Sequence, residues 1–392
     1  MNNKNRYNNK KSYNKNKRLR CDILFTENCT LACKYCYETR NRCCSKSTNM
    51  NFNTIRNAVD FAYNEARRLD YKNISFLIFG GEPLLNPDGV KYFAKYLTQK
   101  RKESSDIKFY TSIITNGTIY DEDLLEYLLS LDKLFLRNIQ VSIDGIPEVQ
   151  DKNRPFRNGK GSTKVIAKNV KKYLNFFKKH DLDAYDMGFG FHSTFTRDVL
   201  PYLYESFVYC VETLKFPSGT ITPVVEEVWT LGDEKILDEQ LNKIFIKTQN
   251  EYKFKLPPIK PMDGKICCNA GKYQLAIAPN GDIFGCPRFY FSTKLIDKEY
   301  NKFRMGNVNQ TPCLENKINP LDEARKEFDM CDTGNNCKIC MGGNYEITGH
   351  LTSVISPFFG IIAQLISKYS RHYSFLIDKG IIIPKGGDNK NG

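Results

Sequence analysis

The chain has 392 residues, of which 41% are hydrophobic and 14 are cysteine, and its 58 Lys/Arg against 44 Asp/Glu give a net charge of +14. That length and apolar content suit two domains, or one large barrel with an appendage, and exclude a small disulfide-stapled scaffold. The N-terminus is Asn- and Lys-rich with no apolar core region, so no secretory signal is expected, and the cysteines then point to metal or cluster ligation in a reducing, anaerobic cytoplasm.

Residues 1–20 carry eight Lys/Arg and no acid and read as a disordered basic tail. Such a tail is a solubilising segment or a contact for an acidic partner; nucleic acid is not the expected partner. Short apolar runs at 21–26, 75–80, 109–115, 139–143, 188–195 and 219–226 read as strands, with amphipathic stretches such as 55–69 and 90–97 between them. Strands alternating with helices predict βαβ units and a parallel sheet. Six units suit an α/β fold of the partial (β/α)6 barrel type better than a doubly wound sheet, and barrels gather their chemistry at the C-terminal ends of the strands. A charged helical stretch at 231–262 is broken by Pro257, Pro258 and Pro261. The expected organisation is therefore a tail (1–20), a barrel (21–260), a cysteine-rich domain (261–345), and a C-terminal helical appendage and tail (346–392). The longest apolar stretch, 351–366, is short and broken by Pro357 and Gly360, so no membrane partner is expected.

Cys29, Cys33 and Cys36 stand in C-T-L-A-C-K-Y-C on the loop after the first strand. Three thiolates at this spacing can bind three irons of a [4Fe–4S] cube. No fourth cysteine follows at a fitting distance, so the fourth iron is left for a non-protein ligand, whereas zinc would want four ligands. Gly80-Gly81-Glu82-Pro83 follows the second strand, and its glycines let backbone approach a ligand closely. The third strand ends in Thr115-Asn116-Gly117 and the fourth in Ser142-Ile143-Asp144-Gly145, with Arg154 further on in D-K-N-R-P-F-R-N-G-K-G-S. That G-K-G-S is not a phosphate loop, because the upstream glycine and a leading strand are missing.

The triad, with Tyr35 before its last cysteine and G-G-E-P after the next strand, resembles the radical SAM superfamily. The resemblance implies that the open iron chelates the amino and carboxylate groups of S-adenosylmethionine (SAM). The reduced cluster then cleaves SAM to a 5′-deoxyadenosyl radical that abstracts hydrogen. It implies that Gly80, Gly81, Glu82 and Pro83 hold the methionine amino group. Thr115 and Asn116 would contact SAM, Ser142 and Asp144 would face its ribose and methionine moieties, and Arg154 would meet a carboxylate or substrate. A surface arginine is the alternative for Arg154. A flavodoxin- or ferredoxin-type electron donor is the implied partner.

Further on, Cys268 and Cys286 flank a hairpin with an Asn280-Gly281 turn, and Cys337-x2-Cys340 follows. A hairpin with a returning C-x-x-C can gather four thiolates. With Met305-Gly306-Asn307-Val308, this resembles the auxiliary-cluster region of the SPASM/twitch branch, although the full seven-cysteine pattern is thin here. The resemblance implies one auxiliary [4Fe–4S] cluster on Cys268, Cys286, Cys337 and Cys340. A second cluster drawing on Cys267, Cys313 or Cys331, and a structural zinc on the same four residues, stay open. Cys43 and Cys44, near the triad, are candidates for a hydrogen-atom donor or a substrate-binding thiol. Cys21 and Cys210 read as small apolar residues. His180, His192, His350 and His372 form no metal-site pair and read as structural.

The branch includes anaerobic sulfatase maturases and maturases of ribosomally made peptides. In the sulfatase maturases an aspartate after an auxiliary cysteine is thought to act as base. Pro287 follows Cys286 here, which weighs against that reaction. Many peptide maturases carry a leader-binding domain, for which 20 residues before the first strand leave no room. A separate leader-peptide-binding protein or the basic tail would then recruit the precursor. The expected activity is radical modification of a peptide or protein substrate, giving a thioether or carbon–carbon crosslink or an epimerised residue. Formylglycine formation and small-alcohol oxidation are the alternatives within the superfamily. A non-enzymatic iron–sulfur or zinc protein is the alternative outside it.

Overall fold

The computed structural model describes residues 18–40, 48–104, 106–251, 268–293, 297–311, 313–315, 319–330, 340–353, 356 and 358–378. Cys43, Cys44, Cys267, Cys331 and Cys337, the proline-rich boundary near 257–261 and the two ends of the chain lie outside the described residues. Six strands run parallel in sequential order: β1 (Arg18–Leu24), β2 (Asn73–Phe79), β3 (Lys108–Thr115), β4 (Ile139–Ser142), β5 (Gly190–Phe195) and β6 (Gly219–Pro223). Helices fill the crossovers, among them Phe52–Arg68, Pro87–Glu103, Glu122–Leu131, Thr163–Lys179 and Asp233–Glu251.

Local chemistry starts these elements where they start. Asn51, Asn86 and Asp121 cap three of the crossover helices by accepting the N–H of Thr54, Gly89 and Leu124, and Pro87 sits at the first helical position of the second. Residues 21–24 of β1 are buried on both faces, as expected of a parallel sheet covered by helices. Phe93 of a crossover helix packs edge-on against Phe25 and Phe76, with centroids at 5.7 and 5.4 Å.

The first strand begins earlier than the sequence pattern suggests, and Arg18–Arg20 belong to it rather than to the tail. The reason is a partner on each side. Arg18 pairs with Asn73 of β2, and Arg20 pairs with Gln274 of β7 (Gln274–Ile277). Leu19 is buried, Arg18 lies over the Tyr110 ring, and Asp22 accepts from Arg20 Nε and Gln274 Nε2, both at 2.6 Å.

That pairing joins the cysteine-flanked hairpin to the barrel sheet. β7 runs parallel to β1, while β8 (Asp282–Phe284) and β9 (Gly306–Asn307) add on antiparallel. The order is β6-β5-β4-β3-β2-β1-β7-β8-β9, with β6 and β9 at the edges, so the barrel is partial. Residues at the ends of β2 to β6 nevertheless line one cavity, so the sheet curls around it. The hairpin turns at Gly281, whose φ of 90° suits glycine.

The C-terminal helices close the outside. Met341–Thr348 packs on Pro287–Thr293. Phe359–Asp378 packs on Asp233–Glu251, where Tyr369 donates to Asp238 Oδ1 at 2.9 Å. No helix among the described residues is long and apolar enough to cross a membrane.

Candidate active site

A cavity of about 320 Å³ opens at the C-terminal ends of the parallel strands. The loop after β1 brings Cys29, Cys33, Tyr35 and Cys36 to it, β2 brings Gly80 and Gly81, and β3 brings Thr115 and Asn116. Ser142 and Arg154 arrive from β4 and the segment beyond it. Three more groups, not expected from the sequence, complete the wall: His192 and Thr194 of β5, Thr222 to Glu226 at the end of β6, and Arg288.

The loops are tied to one another. Gly81 N–H donates to the Thr26 carbonyl at 2.9 Å, and Glu82 N–H donates to that of Asn28 at 2.7 Å. A Cβ at Gly80 would sit 2.4 Å from the Thr26 oxygen, so close approach as well as a φ of 129° requires glycine there. On the other side, the segment 153–157 lies against 30–34. Ala32 and Lys34 donate to the carbonyls of Pro155 and Asn153, and Arg157 Nε donates to that of Cys29 at 2.7 Å.

Glu82, Pro83 and Asp144 stand behind the wall rather than in it. Glu82 is fully buried and accepts from Asn116 N–H at 2.7 Å, Thr115 Oγ1 at 2.9 Å and Leu84 N–H at 3.1 Å. Pro83 opens a short 3-10 turn and is buried. Asp144 accepts from Tyr35 at 2.7 Å, from Arg154 Nε at 3.0 Å and from Thr194 N–H at 3.0 Å. Arg154 also lies 5.3 Å from the centre of the Tyr35 ring, and its Nη1 is 3.9 Å from Cys33 Sγ. Burial opposes charge on this guanidinium, yet Asp144, Tyr35 and Cys33 hold its pKa well above the ordinary value. Arg154 is thus a buried cavity residue and not a surface one.

Burial pushes the Glu82 carboxyl up to about 7, against the pull of its three donors. Its folded pKa lies above the unfolded one, so its contribution to stability is full below about pH 4.5 and lost as pH rises through about 7. Urea unfolding is expected to show the parent losing about 3 kcal/mol from this group over that range. Glu82→Gln should flatten that part of the profile. Parallel pH profiles for parent and variant would refute the assignment.

The three triad thiols fit an iron–sulfur cube by their donor set. Each thiolate of a cube binds a different iron, so the sulfurs need to share a cavity rather than converge on one point. All three line the same cavity, and among the described residues no group of His, Cys, Asp or Glu side chains converges on a single-ion site. Burial pushes the Cys29 thiol up to about 11 and the Cys33 thiol up to about 12, with Arg154 opposing the second shift. Metal must therefore displace protons from these sulfurs.

Cys268, Cys286 and Cys340 lie within electrostatic reach of one another. Burial raises the Cys286 thiol pKa, and Cys340 and Cys268 push it the same way. Cys340 begins the Met341–Thr348 helix and accepts the Gly343 N–H at 3.4 Å. Cys313 lies elsewhere, beside the carbonyls of Val308 and Gln310. Arg288, two residues after Cys286, links this region to the cavity. It pairs with Glu226 and, at 3.0 Å, with Glu346, and lies 4.3 Å from the Tyr37 ring centre.

The radical SAM superfamily signature matches residues 23–192, which span β1 to the middle of β5. Those residues form a radical SAM domain. The superfamily implies a [4Fe–4S] cluster and SAM. An uncharacterized protein of Methanocaldococcus jannaschii is 29% identical over 74% of this chain and 93% of its own length. A cysteine-type anaerobic sulfatase-maturating enzyme of Clostridium novyi is 32% identical over 39% of each chain. The solved structure of native anSMEcpe with bound AdoMet and Kp18Cys peptide shares the fold. It superposes with a TM-score of 0.63 at 18% identity, covering 93% of this chain and 99% of that one. The radical SAM domain is thus related to those of sulfatase maturases.

His192, Glu226 and Arg288 were not singled out from the sequence, and His192 was read as structural. On β5 the cavity takes alternate residues, His192 and Thr194, whereas at the end of β6 it takes the consecutive run Thr222 to Glu226. A polar group on every second residue at the C-terminal end of a barrel strand was the available signal. Nothing local marks Arg288.

Proposed function

We propose that the chain modifies a peptide or protein by radical chemistry, building a thioether or carbon–carbon crosslink or inverting a stereocentre. The observation that carries this is the single cavity shared by the three triad thiols and by wall residues from β5, β6 and the segment after Cys286. Bound on Cys29, Cys33 and Cys36, the cluster would supply the electron that cleaves SAM to a carbon radical able to take hydrogen from a substrate C–H bond. A peptide substrate is supported by the neighbour that holds AdoMet and a peptide together.

The chain's own residues hold and orient. Asp144 and Tyr35 fix Arg154, which offers a rigid guanidinium to a carboxylate in the cavity. Glu82 gathers donors from the loops after β2 and β3 and so sets Thr115 and Asn116 in place. His192 Nε2, 3.0 Å from Thr222 Oγ1, is a ring able to hold or release a proton at the cavity wall. Val224 and Val225 add apolar surface to the same wall. In our reading Cys268, Cys286, Cys337 and Cys340 hold one auxiliary [4Fe–4S] cluster. Formylglycine formation is the second reading, favoured by the sulfatase-maturase relative. Against it, Pro287 stands where that branch would need an acid, and it opens the Pro287–Thr293 helix.

The test is a mass spectrum after anaerobic co-expression, in heavy water, with each short open reading frame found to flank the gene. A loss of two hydrogens is expected for a crosslink, and one incorporated deuterium without loss for epimerisation. Conversion of a sulfatase peptide to an aldehyde would instead establish the second reading. An unchanged peptide from protein that still cleaves SAM would overturn both.

A further inference from the structure

The Thr163–Lys179 helix is the most one-sided element of the chain, with six lysines and no acid. Residues 1–20 hold eight of the fourteen excess positive charges, and this helix alone accounts for the equivalent of the remainder. Lys164, Lys168 and Lys172 recur every four residues and so share one face. All three are exposed, and none forms an ion pair among the described residues. With Thr118, Ile119 and Tyr120 they line a groove, and Lys172 lies 5.0 Å from the centre of the Tyr120 ring.

The groove adjoins the back of the triad loop. Thr118 Oγ1 is 2.7 Å from Thr30 Oγ1. Asn116, whose Oδ1 accepts the Thr118 N–H at 2.9 Å, points its Nδ2 at Cys29 Sγ at 3.5 Å. The groove floor is therefore two hydrogen bonds from the sulfur of Cys29. Yet the groove shares no lining residue with the cavity. An occupant of the groove would therefore lie next to the Thr118–Asn116–Cys29 contacts while staying outside the cavity.

We propose that this lysine groove docks an acidic one-electron carrier protein, which would deliver its electron by way of the Thr118/Asn116 contacts to a cluster held on Cys29, Cys33 and Cys36. This rests on the radical SAM reading of the triad. In the step served, the carrier would lose one electron, a cluster bound on the three triad thiols would gain it, and no atom would be transferred. Unpaired charge of one sign raises the encounter rate with a partner of the other sign. It does nothing for a small reductant that needs no docking.

The experiment compares the parent with a K164E/K168E/K172E variant and with a K91E/K95E/K102E control of equal charge change on another helix. Three quantities are read: binding of oxidised flavodoxin by calorimetry, 5′-deoxyadenosine formation driven by reduced flavodoxin, and the same driven by dithionite. The groove variant is expected to bind flavodoxin about tenfold more weakly and to show a matching rise in its KM. Its dithionite rate should equal that of the parent, and the control should change little. Parent binding should weaken with salt, and variant binding much less. Unchanged flavodoxin binding, or an equal loss in the control, would overturn the proposal. So would a groove variant whose dithionite-driven reaction shows a raised KM for the peptide, because the groove would then hold an acidic peptide. Failure of dithionite-driven SAM cleavage in the parent would instead sink the radical SAM reading.

Discussion

Replacing Cys29, Cys33 or Cys36 with alanine is expected to drop dithionite-driven 5′-deoxyadenosine formation at least a thousandfold, to the rate without protein. The three sulfurs lie on one loop and line one cavity. Among the described residues no other cysteine lines that cavity, so none replaces a lost ligand there. The iron count should fall by about four per chain, the content of one cube. Under the auxiliary-cluster reading proposed above, iron on the thiols near Cys286 should stay, because they sit on separate elements. The loop itself should hold its shape, since its ties to 153–157 and to Gly81 and Glu82 are backbone bonds. Folding measured by circular dichroism should therefore be kept while activity vanishes. A triad variant that still cleaves SAM would end the assignment.

The second large effect is expected at Arg154. Removing it in Arg154→Met leaves the Asp144 carboxylate buried, with Tyr35 and Thr194 N–H but no cation. Breaking a buried pair by deleting one partner costs about 3–5 kcal/mol, because the remaining charge stays out of water. The thermal midpoint should drop by roughly 4–6 °C for a chain of this size. Arg154→Met with Asp144→Asn should recover much of that loss, since the second change removes the stranded charge. SAM cleavage should stay impaired in the double variant, which lacks the guanidinium in the cavity. Equal midpoints for the single and double variants would refute the pairing.

Much of this fold was legible in the sequence because parallel strands buried on both faces are continuous apolar runs. Each of the six barrel strands lies within about three residues of the run that announced it. The Asn280-Gly281 hairpin was legible from its turn chemistry. What the hairpin pairs with was not. Gln274–Ile277 contains nothing that selects the outer edge of β1, and that choice depends on β1 having a free edge. The cavity divides the same way. Residues of local motifs, such as Cys29 and Gly80, could be read from their spacing. Arg288, Glu226 and Glu346 converge from segments far apart in sequence, and only the packed helices bring them together. The buried roles of Glu82 and Asp144 were hidden for another reason. A carboxylate in a motif looks the same in sequence whether it faces a ligand or ties loops together behind it.

The pairing of β1 with β7 also bears on how the protein is made. Arg20 waits for Gln274, so the outer edge of the first strand has no native neighbour until about 250 further residues have left the ribosome. At about 5–20 residues per second, that interval is roughly 10–50 s. A contact so distant in sequence is slow to form even when both strands are present. Through that period β2 holds one side of β1, and the other offers a row of unsatisfied amide groups. Nascent chains stalled or truncated before residue 274 therefore expose a sticky edge beside the very loop that receives iron. Chaperone capture and aggregation should concentrate on such chains.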